Sequence, residues 1–132
     1  MSLDLNDRKA IVDYRVEKAG IALGDAAFLQ QAGKYNLAAN RLYYALYYAC
    51  TALLISKGVP TKRHSGMITQ MNYHFVKTGV LTVEDGKLLK IMFDLRHEGD
   101  YEDFIEVEKE DIEEFSPLVS ELIEKIKKLI EL

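Results

Sequence analysis

The stretch Asn40–Ser56 reads Asn-Arg-Leu-Tyr-Tyr-Ala-Leu-Tyr-Tyr-Ala-Cys-Thr-Ala-Leu-Leu-Ile-Ser, and from Leu42 to Ile55 only Thr51 is clearly polar. Alanine and leucine favour helix, and no glycine or proline interrupts the run. A helix with one apolar stripe lies at the surface of a core, whereas one apolar all round lies inside it. The run therefore predicts a central helix wrapped by others. It is too short to cross a bilayer, which takes about 20 apolar residues. Its four tyrosines carry phenols that seek hydrogen-bond partners when buried. One cation, Arg41, stands at its entrance.

The rest of the chain is scaled to wrap such a helix. Its 132 residues make a single domain, 1–132, with one core. An apolar fraction of 48% and a charged fraction of 29% match an ordinary soluble globule. The net charge of −4 argues against broad affinity for nucleic acid but leaves room for a small basic site. Cys50 is the single cysteine, so no intramolecular disulfide forms. With no signal-like segment at the start, the expected location is the reducing cytoplasm.

Periodicity places the other helices. Residues 4–31 form a long first helix on Ile11, Tyr14, Ala19, Ala22, Ala26 and Leu29. Gly20 and Gly24 weaken it slightly or allow a close helix contact. Gly33 is the stop, and the central helix begins near Tyr35 or Asn36. Lys57-Gly58-Val59-Pro60 ends it. A locally basic loop, 61–66, leads to a third helix from about Ser65 to Val76. Thr82 caps a fourth, helped by Glu84 and Asp85, with a stripe of Leu88, Ile91, Met92 and Leu95 running to about Glu98. From Glu98 to Glu114 there are ten acidic residues and one base, Lys109. A last helix starts near Glu108 with Ile112, Phe115, Val119, Leu122, Ile126 and Leu129 on one face. Pro117 either kinks it or marks its true start, and the unbroken stripe predicts a kink. The sum is all-α: an antiparallel four- to five-helix bundle, with the third helix across one end.

Three places carry candidate chemistry. Arg96 and His97 lie at the end of the fourth helix, with Asp100 and Tyr101 in the turn beyond. Arg96 suits a phosphate or a developing phosphorane charge, and His97 is a candidate acid or base. The plain alternatives are that Arg96 neutralises the terminal carbonyls or is tied to Asp94 or Asp100 as a core ion pair. Arg41 needs a carboxylate if buried, with Asp94, Asp100 and Asp103 in reach of an antiparallel fourth helix. The tyrosine stripe beside it reads as core, with a base-stacking platform as the rival. His64, after Lys62-Arg63, either helps hold an anion or lies in a solvated loop with Ser65 as a cap. No pair of histidines has metal-ligand spacing, so no metal and no cofactor is expected.

These stretches resemble the HEPN family, specifically its small stand-alone prokaryotic branch. The resemblance rests on 35–45, Tyr35-Asn36-Leu37-Ala38-Ala39-Asn40-Arg41-Leu42-Tyr43-Tyr44-Ala45. His64-Ser65-Gly66 with His74-Phe75-Val76-Lys77-Thr78-Gly79 follows, then Leu95-Arg96 with Asp100-Tyr101. The resemblance implies a helical bundle that forms a homodimer and associates with nucleotides or RNA. It implies pairing with a minimal nucleotidyltransferase in a toxin–antitoxin-like system; no membrane is expected, because the apolar run is too short to span one. Catalytic members of the family are metal-independent ribonucleases with an arginine followed, after four to six residues, by a histidine. The arginine carries over to Arg96. At the histidine positions this chain has Tyr101, Glu102 and Asp103. Ribonuclease activity would therefore need His97 or His64 brought to Arg96 by the fold. The rival expectation is a non-catalytic dimeric interaction protein.

Overall fold

A computed structural model describes residues 4–61, 64–96 and 106–132. Five α-helices run in the order α1 (Leu5–Gln31), α2 (Tyr35–Ser56), α3 (His64–Met71), α4 (Val83–Leu95) and α5 (Lys109–Glu131), with a π-helical turn, Asn72–Val76, continuing α3. Among the described residues there is no strand. The expected all-α bundle is what forms.

The central position of α2 follows from its composition. It packs against α1, α3, α4 and α5, most extensively against α1. Leu42, Leu46, Leu53 and Leu54 are fully enclosed. The one polar residue in the run, Thr51, is 1% exposed and fully bonded. Its hydroxyl donates to the Tyr47 carbonyl at 2.9 Å and accepts from Arg15 Nη1 at 2.9 Å. A buried hydroxyl without such partners would cost on the order of 1–3 kcal/mol.

The α1–α2 contact is built on small side chains. Ala19, Ala22 and Ala26 of α1 meet a helix whose Ala38, Ala45 and Ala49 are buried. The inward face of α1 is completed by Val12, which lies in phase with those alanines. Tyr14 is about 200° round from Val12 on a helix of 3.6 residues per turn and is 60% exposed. Its expected place in the core is therefore wrong. Gly20 and Gly24 are also exposed, with nothing within 4 Å of an added Cβ, so neither mediates a close contact.

The predicted boundaries hold to within a few residues. Asp4 caps α1 by accepting from the Asp7 amide at 2.8 Å. Gly33 follows α1, and Gly58 ends α2 at φ +78°, a left-handed conformation that glycine adopts without a Cβ penalty. The third helix widens into its π turn, where the Lys77 amide donates to the Asn72 carbonyl at 2.8 Å. Gly86 of α4 lies against this turn, where a Cβ would come within 2.9 Å of Asn72 Oδ1. Thr82 and Asp85 form a reciprocal cap at the start of α4. The buried face of α4 is rotated from the expected stripe. Leu89 and Gly86 join Leu88 and Met92 inside, while Ile91 is 40% exposed. α4 ends at Leu95, so the expected end at Glu98 lies outside the described residues. α5 is one helix through Pro117, which is therefore not its start. Its apolar face is as expected, with Ile112, Val119, Leu122 and Ile126 buried. No described helix is long and apolar enough to cross a membrane.

Candidate phosphate-binding site

Three elements converge at the Asn40 end of α2. The first half of α2 supplies Asn40, Arg41, Tyr43, Tyr44 and Tyr47, the start of α3 supplies His64, and the end of α4 supplies Phe93 and Arg96. Tyr43 is the hub. Its ring is 1% exposed, 5.9 Å from Phe93 and 5.6 Å from His64 between centroids. Its hydroxyl is 2.7 Å from His64 Nδ1. His64 also stacks on Tyr47 at 4.3 Å. The Arg96 guanidinium lies 4.7 Å from the Phe93 ring and 5.8 Å from the Tyr43 ring. Arg96 and His64 are thus held against the same phenol.

Asn40 joins the two arginines. Its Nδ2 donates to the Arg96 carbonyl at 2.9 Å. Its Oδ1 accepts from Arg41 Nε at 3.2 Å and from Nη2 at 2.8 Å. The Arg41 guanidinium also covers the Tyr44 ring at 4.9 Å. Both cations are only partly buried, so their charge is not fully stripped of solvent. Arginine stacks on aromatic faces in this way, and its donors suit carboxylates or phosphates, although in Arg41 the Nε and one Nη are already taken by Asn40.

Burial pushes the Tyr43 phenol well above the usual tyrosine range, and the Arg96 charge offsets only part of that. Tyr43 therefore stays protonated in any working pH range and keeps a hydroxyl hydrogen. Burial likewise pushes the Cys50 thiol up. Cys50 is fully enclosed and is no nucleophile at neutral pH.

The sequence-based site residues divide into two groups. Arg41, Arg96 and His64 come together as described. His97, Asp100 and Tyr101 lie outside the described residues. The carboxylate expected for Arg41 is replaced by the Asn40 amide oxygen, because Arg41 is only half-buried. Asp94 is engaged by Lys90 at 2.7 Å on the surface of α4, and Asp100 and Asp103 are outside the described residues. The tyrosines do not all belong to the core: Tyr43 does, but Tyr44, Tyr47 and Tyr48 are partly exposed. Asn40 and Phe93 had no sequence-based role. The polar pair Asn40-Arg41, directly before an apolar run, was the available signal. Among the described residues no group of three potential metal ligands is present.

The chain is thus an all-α helical bundle in which Arg41 of the central helix and Arg96 at the end of α4 lie beside one tyrosine cluster. The chain belongs to the HEPN family, whose domain model matches residues 12–129. A UPF0332 protein of Thermotoga maritima is 37% identical over 127 residues, covering 96% of each chain. A protein of Methanocaldococcus jannaschii named as a candidate toxin is 32% identical over 105 residues, covering 80% of this chain and 71% of its own. A second candidate toxin of that organism is 30% identical over 95 residues, covering 72% of this chain and 71% of its own.

Proposed function

We propose that this HEPN chain is a toxin-like module that binds RNA or nucleotides and acts with a minimal nucleotidyltransferase as its partner. The observation that carries the reading is the Arg41–Asn40–Arg96 bridge, with His64 on the adjoining tyrosine. The Asn40 amide holds the Arg41 guanidinium and the Arg96 backbone carbonyl, and two partly exposed arginines at this place offer donors to phosphate oxygens. The toxin names of the Methanocaldococcus relatives support the same reading. A homodimer in the cytoplasm is the proposed assembly and location.

A second reading is a metal-independent ribonuclease with His64 as the displaced histidine. The shared contact of Arg96 and His64 with Tyr43 favours it. In that reaction the 2′ oxygen attacks phosphorus as the 5′ oxygen leaves. The imidazole moves a proton at one of these oxygens, and Arg96 offsets the charge on the phosphorane.

The test is single-stranded RNA in chelator with wild type, Arg96→Ala and His64→Ala, read for binding and for cleavage. The expected result is RNA binding that Arg96→Ala weakens by about 10- to 100-fold, with the melting temperature nearly unchanged. Absence of wild-type binding to RNA and nucleotides would overturn the proposal. Cleavage lost in both variants would establish the second reading, and cleavage surviving in His64→Ala would remove the histidine from it. Co-expression with an adjacent nucleotidyltransferase reading frame should give a co-purifying complex. Separate elution of the two chains would count against the partnership.

A further inference from the structure

The cations of the site do not stop at Arg41. The Arg41 guanidinium covers Tyr44 at 4.9 Å. Tyr44 lies 6.3 Å from Tyr48. Lys18 Nζ of α1 sits 6.0 Å from the Tyr48 ring and 5.8 Å from the Tyr14 ring. Cation, ring, ring, cation and ring thus follow one another from the end of α2 across to the outer face of α1. Lys18, Tyr44 and Tyr48 are half-buried, and Tyr14 is 60% exposed.

The geometry points to this strip as a binding track for single-stranded RNA, running from the Arg41–Arg96 cradle over Tyr44 and Tyr48 to Lys18 and Tyr14. The inference rests on the reading of that cradle as an RNA site, and adds the path and the strand form. Single strands are held by positive groups along the backbone and by aromatic rings under the bases, because every base has a π face. The strip alternates both kinds of group at spacings of one ring to the next. A lysine lying along tyrosine rings is common on helices. Here Tyr14 is the informative residue. It is off the core face of α1, yet it projects beside a cation that leads back to the site.

Neighbouring carboxylates set the direction. The Asn36 end of α2 is bonded to the Val107 amide at 2.8 Å, between exposed Glu106 and Glu108. A phosphate chain is repelled there and turned toward Tyr48. On α1, Asp13 is paired with Lys9 at 2.8 Å on the surface, and exposed Glu17 lies beside Lys18 at the edge of the strip. Asp25 recurs seven residues beyond Lys18 on the same side of the helix and bounds the track.

The experiment measures anisotropy of labelled RNA, a dinucleotide and an octamer, with wild type, Tyr14→Ala, Tyr14→Phe, Lys18→Ala and Arg96→Ala. Tyr14 is exposed, so its variants retain the fold, which thermal melts verify. The octamer should bind wild type more tightly than the dinucleotide. Tyr14→Ala should weaken the octamer by about tenfold and leave the dinucleotide unchanged, and Tyr14→Phe should restore it. Lys18→Ala should lower the slope of log K against log salt by about 0.7. A duplex of the same octamer should bind less, since its bases are already stacked. If Tyr14→Ala and Lys18→Ala bind the octamer as wild type does while Arg96→Ala does not, the track is wrong and the cradle stands. If wild type binds neither RNA, both fall together.

Discussion

Asn40 uses both ends of one carboxamide. Its oxygen meets only donors of Arg41 and its nitrogen meets only a carbonyl, so the amide has a single satisfied orientation. Asn40→Ala should therefore release the Arg41 side chain and the Arg96 backbone carbonyl at once. The expected cost is about 1–2 kcal/mol in denaturant unfolding. Its effect on RNA binding should be non-additive with Arg41→Ala, because both variants remove the same contact. Additive losses would show that Asn40 does not position Arg41. At the hub, Tyr43→Phe keeps the packed ring and removes the hydroxyl from His64. Stability should fall by about 1 kcal/mol, and the His64 nitrogen signals should shift in the NMR spectrum. Unmoved His64 signals would deny the hydrogen bond. The tyrosine spacing was legible in the sequence. That Tyr43 alone faces inward while its neighbours remain at the surface was not, because α3 and α4 decide which face is covered.

Helix α4 and helix α1 show how far local pattern carries at the scale of an element. The Thr82 cap and its acidic first turn were readable, since capping depends on residues three apart. That Asp85 also bonds Lys125 of α5 depends on packing. Burial pushes the Asp85 carboxyl up, but the bonds from Lys125 and Thr82 outweigh it and hold it below the usual range. A carboxylate lowered on folding stabilises the native state fully above its unfolded pKa of about 3.9. That contribution is lost as pH falls through the lower native value. The melting temperature of wild type should thus drop more steeply than that of Asp85→Asn as the solution is acidified from pH 5. Parallel curves would exclude the effect. In α1, Gly20 and Gly24 meet nothing. Replacing either by alanine should stabilise the chain by about 1 kcal/mol, the helix-propensity difference, as read from urea unfolding. A loss instead would mean that a partner covers this face.

For the whole molecule, the proposed homodimer predicts a mass in light scattering of twice the 15.1 kDa chain. A clean single-chain mass at micromolar concentration would sink it. The order, the central helix and most helix ends of the bundle were determined by the sequence alone. Apolar period, caps and stops act over a few residues, and no tertiary partner is needed to read them. The rotation of α4 and the meeting of Arg41, His64 and Arg96 were decided only by tertiary structure. Asn40 and Arg96 are 56 residues apart, and Tyr43 and His64 are 21 apart. Contacts across such separations depend on how helices pack side by side, a geometry that helical periodicity does not encode.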